Sequence, residues 1–479
     1  MKNNKKKINK KTIARIIASV LAVIFVLAAV VTVFPINVGA DYNAYLDDKL
    51  IRVGIYHGAS SVLNVAITSD TGFDIGVFDD TAKVFTPLAS STSYALNVSL
   101  SDGVIYFTTP ENSTVYTHSS ASSICVRASG FGGRINASGY TYTGLLEFTN
   151  IDALMRMVNI SYLEDYIKGV VVSEVYTKWP AEALKSQAMV ARTYTLYTSG
   201  KHSAGGFDLC NGTCCQAYLG VGKAVESTNA AVDETKGLIV AYGGKPALST
   251  YHSNSGESNE NASSAWGSNP EAYPYLSTVH TGFDDTENYV NGNWSFSVSA
   301  SELTEYVNSK EGYEGILQGN ITDIRCESIN GSEYVYKLIL SDAFGNEIEI
   351  VKSTQVRNFL VKYCKSACFK VFSHSTVYAG NTDDYVLDSQ NMYVITAQGE
   401  KTLYSPTIGV EALTKTGLST VEPTSERVFT IIGKGYGHGV GMSQYGAMTL
   451  AQNGYDYNYI LGLYYPGTEI VDFRSLGIK

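Results

Sequence analysis

Hydrophobic positions at helical spacing are clearest in residues 160–197. Apolar side chains recur there at steps of one, three and four residues: Leu163, Ile167, Val170 and Val171. Glu174 takes the next position of this stripe, where a further hydrophobic residue would be expected. The pattern breaks at Trp179-Pro180, because a residue before proline avoids helical geometry and proline suits the start of a helix. The sequence therefore predicts two helices that meet at an elbow, with Glu174 at the edge of the core.

A partly buried glutamate near a helix C-terminus is unfavourable, since it loses hydration and faces the negative end of the helix dipole. Such surroundings would raise the pKa of Glu174 toward neutrality, as a general acid requires. The alternative is a structural glutamate paired with Arg192 or Lys178.

The N-terminus has the pattern of an export segment. Residues 1–15 contain seven basic residues and no acidic one, and an apolar run follows from Ile16 to Phe34. The run is long for a cleaved signal and just long enough to span a bilayer. We expect an extracytoplasmic protein, with either cleavage after Ala40 or retention as a membrane anchor whose N-terminus stays inside.

Without residues 1–40 the chain keeps 28 basic against 45 acidic residues, a net charge of −17. This balance, with no basic aromatic motif, argues against nucleic acid as a partner. The 35 tyrosines, 44 glycines and only 17% charged residues are typical of an extracytoplasmic protein that handles a polar polymer.

The periodicity predicts an α+β fold, in which the helical elbow packs on a mixed β-sheet. Residues 41–144 contain only short strand patterns separated by turn residues and form a β-rich module. Residues 145–479 form the main region, with a smaller lobe at about 298–425 that mixes helices and strands. Within it, residues 377–423 are expected to be an irregular insertion.

Four potential metal ligands lie within fourteen residues after the second helix: His202, Cys210, Cys214 and Cys215. Thiolates and an imidazole clustered this closely suit tetrahedral zinc, although their spacing matches no standard finger. The alternative is a disulfide, because the protein is exported. Cys364 and Cys368 likewise suit either a bridge or buried thiols.

Glycine occupies every second position from Gly433 to Gly441. In an extended chain one face would then carry no side chains, so another backbone or a flat ligand could approach closely. A flexible loop is the alternative. Ser443 is expected to cap a helix that continues to about Asn453. Upstream, Tyr251 and His252 end a strand beside a hydroxyl-rich turn, which suits a sugar-binding edge or an ordinary polar hairpin.

Three motifs in this order resemble the SpoIID/LytB family of peptidoglycan-acting proteins. They are VVSEV-x3-WP-x2-ALKSQAMVARTY from Val171, YHSxSG from Tyr251, and GKGYGHGVGMSQYGA from Gly433. The resemblance covers about residues 145–479, and its last motif is long and specific. The family includes lytic transglycosylases that cut cell-wall glycan strands and members described as enhancers of cell-wall amidases.

The resemblance implies that Glu174 of the S-E motif is the single acid/base and that Arg192 binds glycan. It assigns the other motif positions to the cleft: Tyr251, His252, Ser255, His438, Ser443, Gln444 and Tyr445. Some members bind zinc just after A-R-T-Y, where this chain has His202, Cys210, Cys214 and Cys215. Zinc there would be structural, and the chemistry would require no cofactor.

The chain departs from the family pattern at three places. The usual His-Cys ending of the metal cluster is Cys214-Cys215, Met-Pro after S-E is replaced by Val175-Tyr176, and Glu257 follows Gly256.

The implied reaction is cleavage of glycan between N-acetylmuramic acid and N-acetylglucosamine to 1,6-anhydro products, with Arg192 and His438 orienting or charging the site. A rival hypothesis is a non-catalytic glycan-binding enhancer of an amidase. A hydrolase using Ser443 and His438 lacks an evident third partner.

Overall fold

A computed structural model describes residues 49–478, except positions 131, 257, 281, 285–288, 290–291, 330, 379–383, 389–391, 397–398, 406–408, 415–416 and 422–425. Of the described residues between 374 and 421, only the backbone is described. The predicted export segment, residues 1–40, and Glu257 lie outside the described residues. In the described part, no helix has the combination of length and hydropathy expected of a membrane span.

The N-terminal part is β-rich, as predicted from its short strand patterns. The bounds are β1 Leu50–Tyr56, β2 Asn64–Thr68, β3 Phe73–Asp79, β4 Val84–Ser91, β5 Ala95–Ser101, β6 Val104–Thr108, β7 Thr114–His118, β8 Ile124–Ala128, β9 Ile135–Ala137, β10 Tyr140–Tyr142, β11 Leu145–Ile151 and β12 Leu154–Tyr162. A short 3₁₀ turn spans Gly58–Ser60.

These strands form two sheets. Within the described residues, one sheet has the order β10-β9-β2-β5-β6-β7, and the other runs β1-β12-β11-β8-β3-β4 with a short parallel strand, β13 (Leu209–Cys210), added beside β1. Buried and exposed residues alternate along β2 and β5, so that one face of the sheet enters a core containing Phe107 and Phe148.

The helical elbow follows β12 directly and confirms the predicted break at the proline. Helix α1 spans Leu163–Glu174, and helix α2 spans Ala181–Thr198 with Pro180 at its N-cap. The other helices are α3 Glu226–Glu234, α4 Ala262–Trp266, α5 Ala300–Asn308, α6 Ser353–Phe359, α7 Gln444–Gln452 and α8 Tyr457–Tyr464, with 3₁₀ turns at Ser203–Gly205 and Phe473–Leu476.

The apolar stripe of α1 packs into the same core as the N-terminal sheets, and its members are fully buried: Leu163, Ile167, Val170 and Val171. One face of α2 is buried as well and carries Leu184, Gln187, Ala188, Ala191 and Thr195. The fold class is therefore α+β with a β-rich N-terminal region, as the sequence predicts. The domain boundaries at residues 40 and 144 and the lobe at 298–425 stay predictions.

The remaining strands form smaller sheets. Their bounds are β14 Leu238–Tyr242, β15 Lys245–Pro246, β16 Tyr251–His252, β17 Asn293–Ser299, β18 Ile321–Glu327, β19 Lys337–Asp342, β20 Glu347–Val351, β21 Phe369–Tyr378, β22 Asp384–Asp388, β23 Met392–Thr396, β24 Gly399–Ser405, β25 Gly409–Thr414, β26 Gly417–Val421, β27 Val428–Lys434, β28 Met442–Ser443 and β29 Glu469–Asp472. The expectation of an irregular segment at 377–423 was wrong, because its described residues pair as antiparallel strands.

Cys364 and Cys368 of the smaller lobe are buried thiols. Neither Cys364 nor Cys368 forms a disulfide, and both are almost fully buried. Of the two alternatives that the sequence left open for this pair, the structure has the free thiols.

Candidate active site

Glu174 is the last residue of α1 and is half-buried. The backbone N–H of Ala217 donates a 2.7 Å hydrogen bond to its Oε1 atom. Burial raises the pKa of the Glu174 carboxyl above its ordinary value, and hydrogen bonds from Ala217, Tyr251 and Gln444 offset only part of this rise. The carboxyl therefore has surroundings that suit a general acid.

Arg192 is fully buried and pairs with Glu164 rather than with Glu174. Its Nε lies 2.9 Å from Glu164 Oε1 and its Nη2 lies 2.7 Å from Oε2, while Nη1 donates to the Leu238 carbonyl at 3.0 Å. The guanidinium has no exposed surface for a sugar, so the geometry does not support the glycan contact inferred by resemblance. In this structure Arg192 ties α2 to the start of α1.

The alternative in which Glu174 is a structural partner of Arg192 or Lys178 is not observed. Among the described residues, no lysine or arginine nitrogen lies within 4.0 Å of the Glu174 carboxylate. Lys178 is exposed on the loop between α1 and α2. The groups that contact the Glu174 carboxyl are neutral hydrogen-bond donors.

Two distant motifs meet beside Glu174 because β16 and β28 pair in parallel. Tyr251 is the partner of Met442, and His252 is the partner of Ser443. The Tyr251 hydroxyl is hydrogen-bonded to the Glu174 carboxyl and also lies 3.0 Å from Gln216 Oε1. The pairing thus brings Tyr251 and Gln444 to the acid from two motifs that are distant in the sequence.

Gln444 completes the contacts of the acid from the first position of α7. Its side chain hydrogen-bonds to Glu174, and its Nε2 donates to Gln187 Oε1 of α2 at 3.3 Å. Ser443 caps α7 by accepting a hydrogen bond from the Gly446 N–H, which confirms the predicted helix start.

His252 and His438 lie close together, with ring centroids 5.5 Å apart. Burial lowers the pKa of His252 well below its ordinary value, and burial with the nearby charge of Arg357 lowers the pKa of His438 to about 4. The lowered pKa values favour the uncharged form of both imidazoles. These surroundings favour an orienting role for His438 over the positive charge that the sequence led us to consider.

Ser255 and Ser443 are fully buried, and both hydroxyls donate to the carboxylate of Asp284. This carboxylate links the YHSxSG loop to the glycine-rich motif. No hydrogen bond joins Ser443 to His438 among the described contacts, since His438 Nδ1 accepts from the Val440 N–H. The arrangement is therefore structural and does not support a serine hydrolase.

The glycine-rich segment is not an extended strand, because Gly435, Gly437, Gly439 and Gly441 all have positive φ. Neighbouring protein atoms fill the space that side chains would take. A Cβ on Gly441 would overlap the carbonyl oxygen of Thr250, and one on Gly435 would meet that of Asn254. The predicted close approach of another backbone is thus observed, with the YHSxSG loop as the neighbour.

The four predicted metal ligands converge. The ligand atoms of His202, Cys210, Cys214 and Cys215 all lie within 4.8 Å of one another, and His202 Nε2 is 3.3 Å from Cys215 Sγ. All three cysteines are free thiols. One imidazole and three thiols at this separation fit the tetrahedral donor set that zinc prefers, and the structure has no disulfide here.

Some residues of the site were missed by sequence reasoning. Ala217 acts through its backbone, so its side chain carries no signal, and Asp284 lies in a loop without a recognisable motif. Gln216 follows the vicinal cysteines directly, and its Nε2 donates to Thr195 Oγ1 at 2.8 Å. A polar residue next to a predicted metal cluster could have indicated it.

Comparison with known proteins agrees with the three motifs. The family model described as SpoIID, stage II sporulation protein, matches residues 152–242, which include Glu174, Arg192 and the cysteine cluster. An uncharacterized protein of Brachyspira hyodysenteriae is 29% identical over 71% of this chain and 74% of its own length.

Two relatives from Bacillus subtilis carry functional names. The amidase enhancer is 29% identical over 64% of this chain, and the match spans 40% of the enhancer's length. The stage II sporulation protein D is 26% identical over 64% of this chain and 74% of its own length. The match to the SpoIID model and these relatives support the resemblance of this chain to the SpoIID/LytB family.

Proposed function

We propose that this protein acts on the bacterial cell wall as a lytic transglycosylase. It cleaves peptidoglycan glycan strands between N-acetylmuramic acid and N-acetylglucosamine and leaves 1,6-anhydro ends. The observation that carries the proposal is Glu174, a half-buried carboxyl with a raised pKa that is held by three neutral donors between two family motifs.

In the first step the protonated Glu174 donates its proton to the glycosidic oxygen as the bond from that oxygen to C1 of N-acetylmuramic acid breaks. A raised pKa increases the fraction of the carboxyl that is protonated at a given pH, which favours this step. The resulting carboxylate is stabilised by the Ala217 N–H and the Tyr251 hydroxyl, which are already in position.

In the second step the 6-hydroxyl of the same sugar attacks C1, and the Glu174 carboxylate takes its proton. The C1–O6 bond replaces the broken glycosidic bond, so no water is consumed and the acid returns to its starting state. Because the nucleophile belongs to the substrate, its effective concentration is high and no second carboxylate is needed to activate water.

The cysteine cluster would hold zinc in a structural role. His202, Cys210, Cys214 and Cys215 are its ligands, and the bound ion would fix the loop that continues into Gln216 and Ala217. The chemistry itself requires no cofactor.

The second candidate function is a glycan-binding enhancer of a cell-wall amidase without turnover of its own. The similarity to the Bacillus subtilis amidase enhancer favours it. The contacts around Glu174 favour catalysis, since a binding module has no need of a carboxyl with a raised pKa.

In either case the partner is peptidoglycan outside the cytoplasmic membrane. Residues 1–40 would direct export and be cleaved or serve as an anchor. A cell-wall amidase is a further partner under the enhancer hypothesis.

The products of glycan digestion test the proposal. Purified protein is incubated with glycan strands with and without stem peptides, and 1,6-anhydro ends are measured by mass spectrometry. We expect these ends with the parent protein and their loss with Glu174→Gln. Glu260→Gln is the matched control, because Glu260 is also buried with its pKa raised to about 7 but does not contact Glu174. Tight glycan binding without new ends would favour the enhancer.

A further inference from the structure

Four aromatic side chains form a continuous row beside Glu174. The ring centroids of Tyr176 and Trp179 are 6.1 Å apart, those of Trp179 and Tyr445 are 5.1 Å apart, and those of Tyr445 and Tyr289 are 3.8 Å apart. We call this row the Tyr176 cluster. Neither Tyr176 nor Trp179 was singled out as a substrate contact by the sequence motifs.

Local structure connects the cluster to the acid at two points. Tyr176 is two residues beyond Glu174, in a turn closed by a 3.1 Å hydrogen bond from the Trp179 N–H to the Tyr176 carbonyl. Tyr445 follows Gln444, whose side chain contacts the Glu174 carboxyl. One end of the row, Tyr176, is therefore close to Glu174 in the sequence. Tyr445 lies next to a residue that contacts the Glu174 carboxyl.

Exposure differs along the row. Trp179, Tyr289 and Tyr445 are half-buried, and the Tyr289 hydroxyl is 2.7 Å from Ser253 Oγ, so these rings also stabilise the loops that carry them. Tyr176 is 67% exposed. Folding gains little from so exposed a ring, and its presence at the edge of the site calls for another explanation.

The chemistry of a pyranose ring can explain why an exposed aromatic ring lies at the edge of the site. Each face of an N-acetylhexosamine ring presents a patch of C–H groups, which packs favourably against the face of an aromatic ring, while its hydroxyl and acetamido groups stay hydrogen-bonded at the rim. Aromatic rings stiffly held beside a catalytic acid can therefore fix a sugar at little cost in conformational entropy.

We propose that the Tyr176 cluster is a sugar-stacking subsite, in which Tyr176 receives the face of an N-acetylhexosamine ring next to the bond that Glu174 protonates. The inference rests on the proposed function and adds Tyr176, Trp179 and Tyr289 to its substrate contacts. Tyr176 occupies a position where the family commonly has proline, so the exposed ring is a departure of this chain.

Binding measurements on an inactive background test the subsite. Glycan strands stripped of stem peptides are titrated calorimetrically into the Glu174→Gln protein, so that nothing is cut. Adding Tyr176→Ala should weaken binding roughly tenfold, since one aromatic contact is lost. Adding Tyr176→Phe instead should leave the affinity of the Glu174→Gln protein unchanged, because the face of the aromatic ring remains.

The matched control is Tyr94→Ala. Tyr94 is 68% exposed in the N-terminal β-rich part, so it matches Tyr176 in residue type and exposure, but it precedes β5 instead of following α1. It should leave the dissociation constant unchanged. Equal affinities for the Tyr176→Ala and Tyr94→Ala proteins would overturn the proposed subsite. A Glu174→Gln protein that binds no glycan would overturn it as well.

The two proposals fail separately. Weaker binding by Tyr176→Ala together with anhydro ends that persist in Glu174→Gln would keep the subsite and remove the proposed chemistry. Anhydro ends that depend on Glu174, with glycan affinity and KM indifferent to Tyr176→Ala, would do the opposite. An increase in KM with little change in kcat is the expected kinetic signature of Tyr176→Ala in the active protein.

Discussion

Ala217 and Glu174 are joined by a 2.7 Å hydrogen bond from backbone N–H to carboxylate, and Ala217 is only two residues beyond Cys215 of the His/Cys cluster. The Leu219 N–H donates in the same way to Ser173 Oγ at 3.0 Å. The loop that follows the cluster is thus fastened to the end of α1. A structural metal here would hold in place a hydrogen-bond donor of the proposed acid.

Loss of one cluster thiol should remove the metal and loosen this loop. We expect Cys214→Ser to lower the zinc content of the purified protein from about one ion per chain and to lower its Tm. Cys326→Ser is the control, because Cys326 is exposed and outside the cluster. Zinc analysis and calorimetry give the answer, and a cystine at these positions in the native protein would contradict the zinc assignment.

The pH dependence of glycan cleavage should report Glu174. Because the acid form is required and its pKa is raised, kcat/KM should fall as pH rises through that pKa. Tyr251→Phe removes a donor that lowers the Glu174 pKa, so the falling limb should move to higher pH. Glu260→Gln should leave the limb in place. If the falling limb of the pH profile moved in Glu260→Gln but not in Tyr251→Phe, Glu174 would not be the acid.

Truncation of Arg192 should destabilise the fold without any specific loss of glycan affinity. Arg192→Ala leaves the Glu164 carboxylate buried without its cation, at a cost of about 3–5 kcal/mol in the free energy of unfolding. Arg325→Ala, which breaks an exposed pair with Glu347, should cost less than about 1 kcal/mol. Urea denaturation measures both. A stable Arg192→Ala protein with weakened glycan binding would restore the contact inferred by resemblance.

Gly454 and Gly441 both have positive φ but differ in how closely other atoms surround them. Alanine substitutions at these two positions therefore distinguish the cost of backbone strain from the cost of steric overlap. Gly454→Ala meets open space and should cost only the strain of a left-handed alanine, roughly 1–2 kcal/mol. Gly441→Ala has the same strain and also overlaps the Thr250 carbonyl, which should add about 1–3 kcal/mol. Comparable unfolding midpoints for the two variants would show that the backbone at the β16–β28 contact can shift to accommodate a Cβ without a loss of stability.

The local elements of this fold could be predicted because their causes are local. The elbow follows from helical spacing interrupted by Trp179-Pro180, and the strands of the N-terminal module follow from short apolar runs between turn residues. The cap at Ser443 also follows from a local pattern, and the short spacing of His202 and the three cysteines allowed their convergence to be predicted as a possible metal site.

The partners of Arg192 depend on the packing of distant segments. A buried guanidinium needs a carboxylate partner, so the burial of Arg192 required one. Which glutamate is near enough, Glu164 or Glu174, depends on how α2 crosses α1. The conformation of the glycine-rich segment was likewise set by its neighbour. Alternating glycines allow an extended strand or a row of positive φ angles, and contact with the 250–256 loop selects the latter.

By itself the sequence indicated the candidate acid, the helical elbow that holds this acid at the edge of the core, and the resemblance to the SpoIID/LytB family. Only the tertiary structure decided what each of them touches: Ala217 and Tyr251 on Glu174, Glu164 on Arg192, and Asp284 between two serines. The physical reason is that a hydrogen bond or an ion pair needs its two groups within about 3 Å, and for groups far apart in sequence that distance is fixed by packing rather than by local pattern.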